Sequence, residues 1–220
     1  MGKYLKHPLF IIGASILAVI VGWVMKAPIL DTIVSVLGMV HVWLLMKEKM
    51  LNFIFGIIAF GSYVYIYVSS ELYAMAVVAF VQTMFLIYGW FFWNKHRQGD
   101  EVPRTNRFTR KQLQFWILGM LVAWFLWGLL EKNVFGGSLP FLNSLTAVIG
   151  LVAEYWLSRK YLENWHLFIL SDALAVCTVL LSGLYPMAIL YGINTLLSVQ
   201  GLREWKANDH SKSIKEINVV

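Results

Sequence analysis

Trp165, Phe168 and Asp172 fall at i, i+3 and i+7 of one apolar run, so a helix there carries two aromatic rings and a carboxylate on one side. Such a face can hold a flat cation, or an aromatic ring bearing hydrogen-bond donors, by stacking, cation–π attraction and charge-assisted hydrogen bonding. The competing reading is an acid protonated by desolvation, or bonded to a neighbouring Tyr or Asn, for packing alone. Tyr191, Asn194 and Ser198 repeat the same spacing further along and form a polar stripe that lipid would not tolerate. Gln82 and Asn194 each precede a Thr near the middle of an apolar run. Both could face one central cavity, and the alternative for each is interhelical bonding that holds a bundle together.

The elements that must position these groups are membrane spans. The 220 residues are 59% hydrophobic and 14% charged, with mean hydropathy +0.67, whereas soluble domains carry about 25% charge. A lone Cys177 excludes a disulfide scaffold. No phosphate loop, H-E-x-x-H, Cys/His cluster or nucleophile elbow occurs, so neither ATP hydrolysis nor proteolysis has its equipment, and no metal, cofactor or catalytic residue is expected. Apolar runs long enough to cross ~30 Å of hydrocarbon lie at roughly 8–25, 29–46, 51–68, 72–93, 114–130, 138–157, 163–182 and 185–203. The sequence therefore predicts an all-α polytopic membrane protein of eight transmembrane helices. The first run has the basic start of a signal peptide but is long for one and lacks a clear cleavage site, so it is kept as a span. At the centre of a span an ionised Asp costs ~2.5–3.5 kcal/mol, and Asp172 therefore needs a partner.

Placing the N-terminus in the cytoplasm puts sixteen of the 18 Lys and Arg inside and leaves only Lys26 and Lys132 outside. Basic residues are retained on the cytoplasmic side during insertion, so both termini are expected there. The +6 net charge then reports orientation and not a nucleic-acid partner. The basic loop from Asn94 to Leu113 is expected to fix topology, with anionic-lipid binding as the alternative, and the tail from Lys206 is expected to be disordered. Trp90, Phe91, Phe92, Trp93 and Trp205 are expected to form an aromatic belt at span ends. Tyr63, Tyr65 and Tyr67 should spread over several faces as packing or belt residues, Glu154 should pair with Arg159 or Lys160, and His41 and His166 read as structural.

An internal repeat aligns residues 30–94 with 142–206 at an offset of 112 without a gap. Leu30 meets Leu142, Gly38 meets Gly150, Asn52 meets Asn164, Leu72-Tyr73 meets Leu184-Tyr185, Met75-Ala76 meets Met187-Ala188, Thr83 meets Thr195, Gly89 meets Gly201 and Trp93 meets Trp205. Four helices separate corresponding points, so the two units are parallel, related by an axis along the membrane normal. Some transporters use this architecture and bind substrate near the midplane at the repeat interface. The organisation expected is an N-terminal segment with a peripheral helix (1–28), a first three-helix repeat (29–94), a basic loop and linker helix (95–137), a second repeat (138–206) and a tail (207–220).

Tyr88-Gly89-Trp90, Arg159-Lys160-Tyr161-Leu162-Glu163-Asn164-Trp165, Gly183-Leu184-Tyr185 and Gly201-Leu202-Arg203-Glu204-Trp205, in that order, resemble the Pnu family of bacterial vitamin transporters, whose best-known members carry nicotinamide riboside. The resemblance covers about residues 29–206. It implies a 3+1+3 core related to the SWEET architecture, with a cavity between the three-helix units. It also implies facilitated diffusion across the bacterial cytoplasmic membrane of an unphosphorylated vitamin that a cytoplasmic kinase then traps. Riboside carriers tend to read Trp-x-x-Trp followed four residues later by Asn, where this chain has Trp165, Phe168 and Asp172. They tend to have Gln at the place of Ala79, and Asn or Ser at that of Leu86. Thiamine, a deoxynucleoside or riboflavin therefore stay open as substrates, since Asp172 suits either cationic vitamin. The partners expected are that vitamin, membrane lipids and, as an open alternative, further copies of the chain. A non-transporting scaffold is the reading of another class, and it predicts side chains or lipid filling the space between the units.

Overall fold

A chain in hydrocarbon has no water to satisfy its peptide groups, so each crossing must bond to itself as a helix. The computed structural model describes residues 2–97, 99, 101–136, 139–181 and 185–217, with side chains from residue 4 onward except at 178–190 and 210–217. Nine α-helices occur among the described residues. They are α1 (Gly2–Lys6), α2 (Pro8–Val24), α3 (Ile29–Met46), α4 (Leu51–Ser69), α5 (Tyr73–Lys95), α6 (Arg110–Leu130), α7 (Pro140–Ser158), α8 (Asn164–Leu181) and α9 (Tyr185–Ile217), with a π-helical turn, Glu131–Phe135, closing α6. Among the described residues α3 to α7 are long and apolar enough to cross a membrane, and Pro8–Val24 and Asn164–Cys177 are shorter apolar helices. The Gly183-Leu184 part of the motif and the Met187-Ala188 side chains lie outside what is described.

Proline opens α2 and α7, where its missing N–H costs nothing. Thr109 and Gln112 form a reciprocal capping box that starts α6. α3 and α7 both end in the same glycine-free turn. Glu48 and Lys160 each adopt φ +56°, and their N–H groups donate to Leu45 O and Leu157 O at 2.8 Å, while Lys49 N and Tyr161 N reach back to Leu44 O and Trp156 O.

Helices adjacent in sequence pack together within α3–α4–α5 and within α7–α8–α9, and the ring closes through α5 on α7 and α9 on α3. The 112-residue offset carries this set of contacts onto itself. α2 packs on α3 much as α6 packs on α7. α6 is the least covered helix: 6% of its membrane-length stretch is buried, against 44% for α7.

The largest core cluster lies at the end of the bundle that carries Lys47, Lys95 and Arg159, and joins Leu45, Phe53, Leu86, Trp93, Leu157, Trp165, Leu197 and Trp205. Two expectations change there. Trp93 and Trp205 are fully buried against one another, rings 5.7 Å apart, and are not belt residues. The segment after Lys206 continues α9 as helix to Ile217, and Arg107 in the 96–109 connection pairs with its Asp209 at 3.1 Å.

Candidate functional site

Asn164 sets the start of α8 by donating its side-chain amide to Tyr161 O. One residue on, Trp165 is fully buried because Gly201 of α9 leaves room for its ring; a Cβ at Gly201 would overlap the indole. The same face then presents Phe168, whose ring centre lies 6.1 Å from that of Trp165 at 64°, and Asp172 one turn further. Ser198 of α9 donates to Asp172 Oδ2 at 3.3 Å. The expected partner of the acid is thus a hydroxyl of the last helix, and neither a Tyr nor an Asn.

Of the other residues singled out, Asn194 and Tyr191 share the Ser198 side of α9, one and two turns away from it. Gln82 comes from α5 and faces α7, its Nε2 3.5 Å from where a Cβ of Gly150 would stand, with Ser171 of α8 nearby. Trp165, Phe168, Asp172, Tyr191, Asn194 and Ser198 are therefore gathered on facing sides of α8 and α9. Gln82 reaches the same region of α7 as Ser171, the residue before Asp172. Phe168, Asp172, Asn194, Tyr191 and Gln82 stay partly open, whereas Trp165 and Ser198 are closed. Trp165 Nε1 and Asn194 Oδ1 are buried without a hydrogen-bond partner. Among the described residues no three His, Cys, Asp or Glu side chains converge as metal ligands would.

Two groups escape the sequence reading. Tyr63 and Tyr67 of α4 stack at 5.5 Å and 13°, while Tyr65 alone of the three is exposed. Their i, i+4 spacing, extended back to Phe60, was the available signal. Glu154 is 1% exposed with neither carboxyl oxygen bonded, and pairs with neither Arg159 nor Lys160. Five residues along a helix turn a side chain about 140° away, so Arg159 could not reach it; Gly150, Glu154 and Ser158 share the inward face. His41 is buried and structural, its Nδ1 2.8 Å from Asn52 O, while His166 is exposed.

The family profile described as "Nicotinamide mononucleotide transporter" matches residues 28–207. The nicotinamide riboside transporter PnuC of Escherichia coli K12 is 25% identical, the match covering 80% of this chain and 84% of that protein. Its namesake from Haemophilus influenzae is 28% identical over 86% and 82%. The solved structure titled "Crystal structure of the Vitamin B3 transporter PnuC" superposes with a TM-score of 0.76 at 20% identity, covering 92% of this chain and 91% of the other, and shares the fold.

Proposed function

The chain belongs to the nicotinamide mononucleotide transporter family, and from that premise we propose that it takes up nicotinamide riboside across the bacterial cytoplasmic membrane by facilitated diffusion. The observation that carries the proposal is the pair of unpartnered buried polar atoms, Trp165 Nε1 and Asn194 Oδ1, on the two helices that Ser198 and Asp172 join. A buried group left unpaired costs ~1–3 kcal/mol, and a ligand with hydrogen-bonding groups repays that cost on binding. Nicotinamide riboside brings a flat pyridinium, a carboxamide and ribose hydroxyls. The partly open ring of Phe168 stacks on the pyridinium with Trp165 packed behind it, Asp172 neutralises it, and Asn194, Tyr191, Ser198 and Gln82 meet its polar groups.

The helices form a 3+1+3 core of the SWEET kind, α3–α5 and α7–α9 joined by α6, with α2 as an additional peripheral span and eight crossings in all. The exchange of contacts under the 112-residue offset supports this, as does the exposed apolar face of α6, Phe115, Leu118, Val122 and Leu126, which suits lipid. The sixteen-to-two charge split supports termini in the cytoplasm. Rocking of one unit against the other exposes the site alternately, and a cytoplasmic kinase makes uptake unidirectional by trapping the product.

Uptake of labelled nicotinamide riboside into proteoliposomes tests the reading, with thiamine, riboflavin and deoxynucleosides as competitors. Thiamine is the rival with an observation behind it, since Asp172 suits its cationic thiazolium as well. If no member of the set enters faster than into empty vesicles, transport of this class is excluded. Uptake of thiamine alone would keep the site and replace the substrate.

A further inference from the structure

Glu48 and Lys160 stand 112 residues apart and so hold the same position in the two units, with the same left-handed backbone, φ +56°. They meet: Lys160 Nζ lies 3.4 Å from Glu48 Oε1, with the side chains 1% and 9% exposed. The ammonium also sits 4.5 Å from the ring centre of Trp93 and 5.3 Å from that of Trp205, another equivalent pair. Each of these indoles donates across to the other unit, Trp93 Nε1 to Leu157 O at 3.3 Å and Trp205 Nε1 to Leu45 O at 3.2 Å. The four side chains thus stand around the axis that relates the units, at the basic end of the bundle, with Trp165 packed on Trp205 between them and the Asp172 face.

A strap covers the cluster. Asn106 N donates to Lys160 O at 2.8 Å, Asn106 O accepts from Leu162 N, and the Asn106 amide reaches Arg159 O. Phe108 stacks flat on Tyr161 at 3.8 Å. Pro103 and Thr105 line one cleft together with Glu48 and Lys160.

We infer that Glu48, Lys160, Trp93 and Trp205 are the inner gate of transport, closed in this structure, and that the 101–109 strap is its cover. The inference rests on the transport reading above. Substrate leaving Asp172 for the cytoplasm must part α5 from α7 and α9 from α3 at this end, and these contacts are among those that join the helices there. The chemistry suits a closure that must reopen. An apolar plug of this size would expose apolar surface to water on opening, whereas a buried ion pair gives up its mutual attraction but regains hydration of both charges. Parting the ion pair therefore costs less than parting an apolar contact of the same size, and the two tryptophan faces hold the cation when the gate is shut.

The equivalence of the two positions supplies the test. A reporter cysteine replaces Leu86, buried on α5, in a Cys177→Ser background, and a membrane-impermeant maleimide is applied to the cytoplasmic face of oriented vesicles. Glu48→Lys, which sets two cations at the axis, is expected to raise the labelling rate at least fivefold. The exchanged pair, Glu48→Lys with Lys160→Glu, is expected to return it to within twofold of the parent. Glu48→Leu with Lys160→Met, an apolar plug, should label more slowly than the parent. Equal labelling in all four proteins, each monodisperse in detergent, overturns the gate, and so does a single variant that the exchange fails to rescue. Labelling needs no substrate, so failure of nicotinamide riboside uptake would sink the transport reading without altering this readout.

Discussion

Subtracting 112 from the residues of the candidate site gives Phe53 for Trp165, Gly56 for Phe168, Phe60 for Asp172, Ala79 for Tyr191 and Leu86 for Ser198. Only Asn194 finds a polar counterpart, Gln82. The first unit is apolar where the second is polar, yet the two share their frame contact for contact. Asn52 bonds back to Lys49 O as Asn164 does to Tyr161 O. Thr83 and Thr195 donate to the carbonyl four residues earlier at 2.8 and 2.9 Å. Gly89 makes room for Phe53 as Gly201 does for Trp165. At one of these places large and small are exchanged: His41 fills the space over Gly56 in the first unit, where the second has Ala153 and Phe168. Contacts that hold helices together constrain both copies alike, while the lining is free to diverge, and a substrate without two-fold symmetry needs it to.

The frame half of this comparison breaks first at the glycines. A Cβ on Gly89 would stand 2.5 Å from the Phe53 ring and 3.1 Å from the Ser158 backbone, and one on Gly201 would enter the Trp165 ring. Gly89→Ala and Gly201→Ala should each destabilise by about 1–3 kcal/mol, the range for overpacking, read as a fall in thermal midpoint in detergent. Trp165→Phe, which gives the second unit the residue of the first, should relieve Gly201→Ala and leave Gly89→Ala unchanged. If either glycine tolerates alanine without loss, the frame is not shared.

The lining half is sharpened by Asp172 and Phe60. Asp172→Ala should weaken binding of a cationic substrate at least tenfold, about 1.4 kcal/mol, while Phe60→Ala, at the same place in the other unit, should change the affinity less than threefold. Isothermal titration of both variants decides it, and equal losses would show that both halves contact the substrate through this position.

Much of this frame was legible before any coordinates. α3 begins and ends at the residues where its apolar run does, because lipid demands an unbroken apolar stretch between polar turns, and Asn52, Asn164, Gly89 and Gly201 matched in one register because each makes an irreplaceable contact. The far end of α9 was not legible, since hydropathy reports where lipid stops and a helix can continue into water. Trp93 and Trp205 were misplaced because a tryptophan at a span end has two explanations, the interface belt and a buried cross-unit pair. The repeat itself distinguished them, as a belt needs no equivalent partner. Glu154 misled through proximity in sequence, which is not proximity on a helix. The strap was invisible: Asn106 and Phe108 act through backbone hydrogen bonds and one stacked ring, and neither leaves a periodic trace.

The smallest effect tests the cross-unit bonds alone. Trp93→Phe and Trp205→Phe each keep an aromatic ring in the core and delete one indole donor, leaving Leu157 O or Leu45 O without its bond across the units. A neutral buried hydrogen bond contributes about 0.5–1.5 kcal/mol, and each substitution should cost that much in thermal stability. Because the two bonds are equivalent under the 112-residue offset, the two losses should agree within about 0.5 kcal/mol, the scatter expected for independent sites. The rings touch, however, and both lie against the Lys160 ammonium, so the double variant should depart from the sum of the singles. Strict additivity would separate the two tryptophans into local supports of their own helices, whereas coupling identifies one closure built from both units.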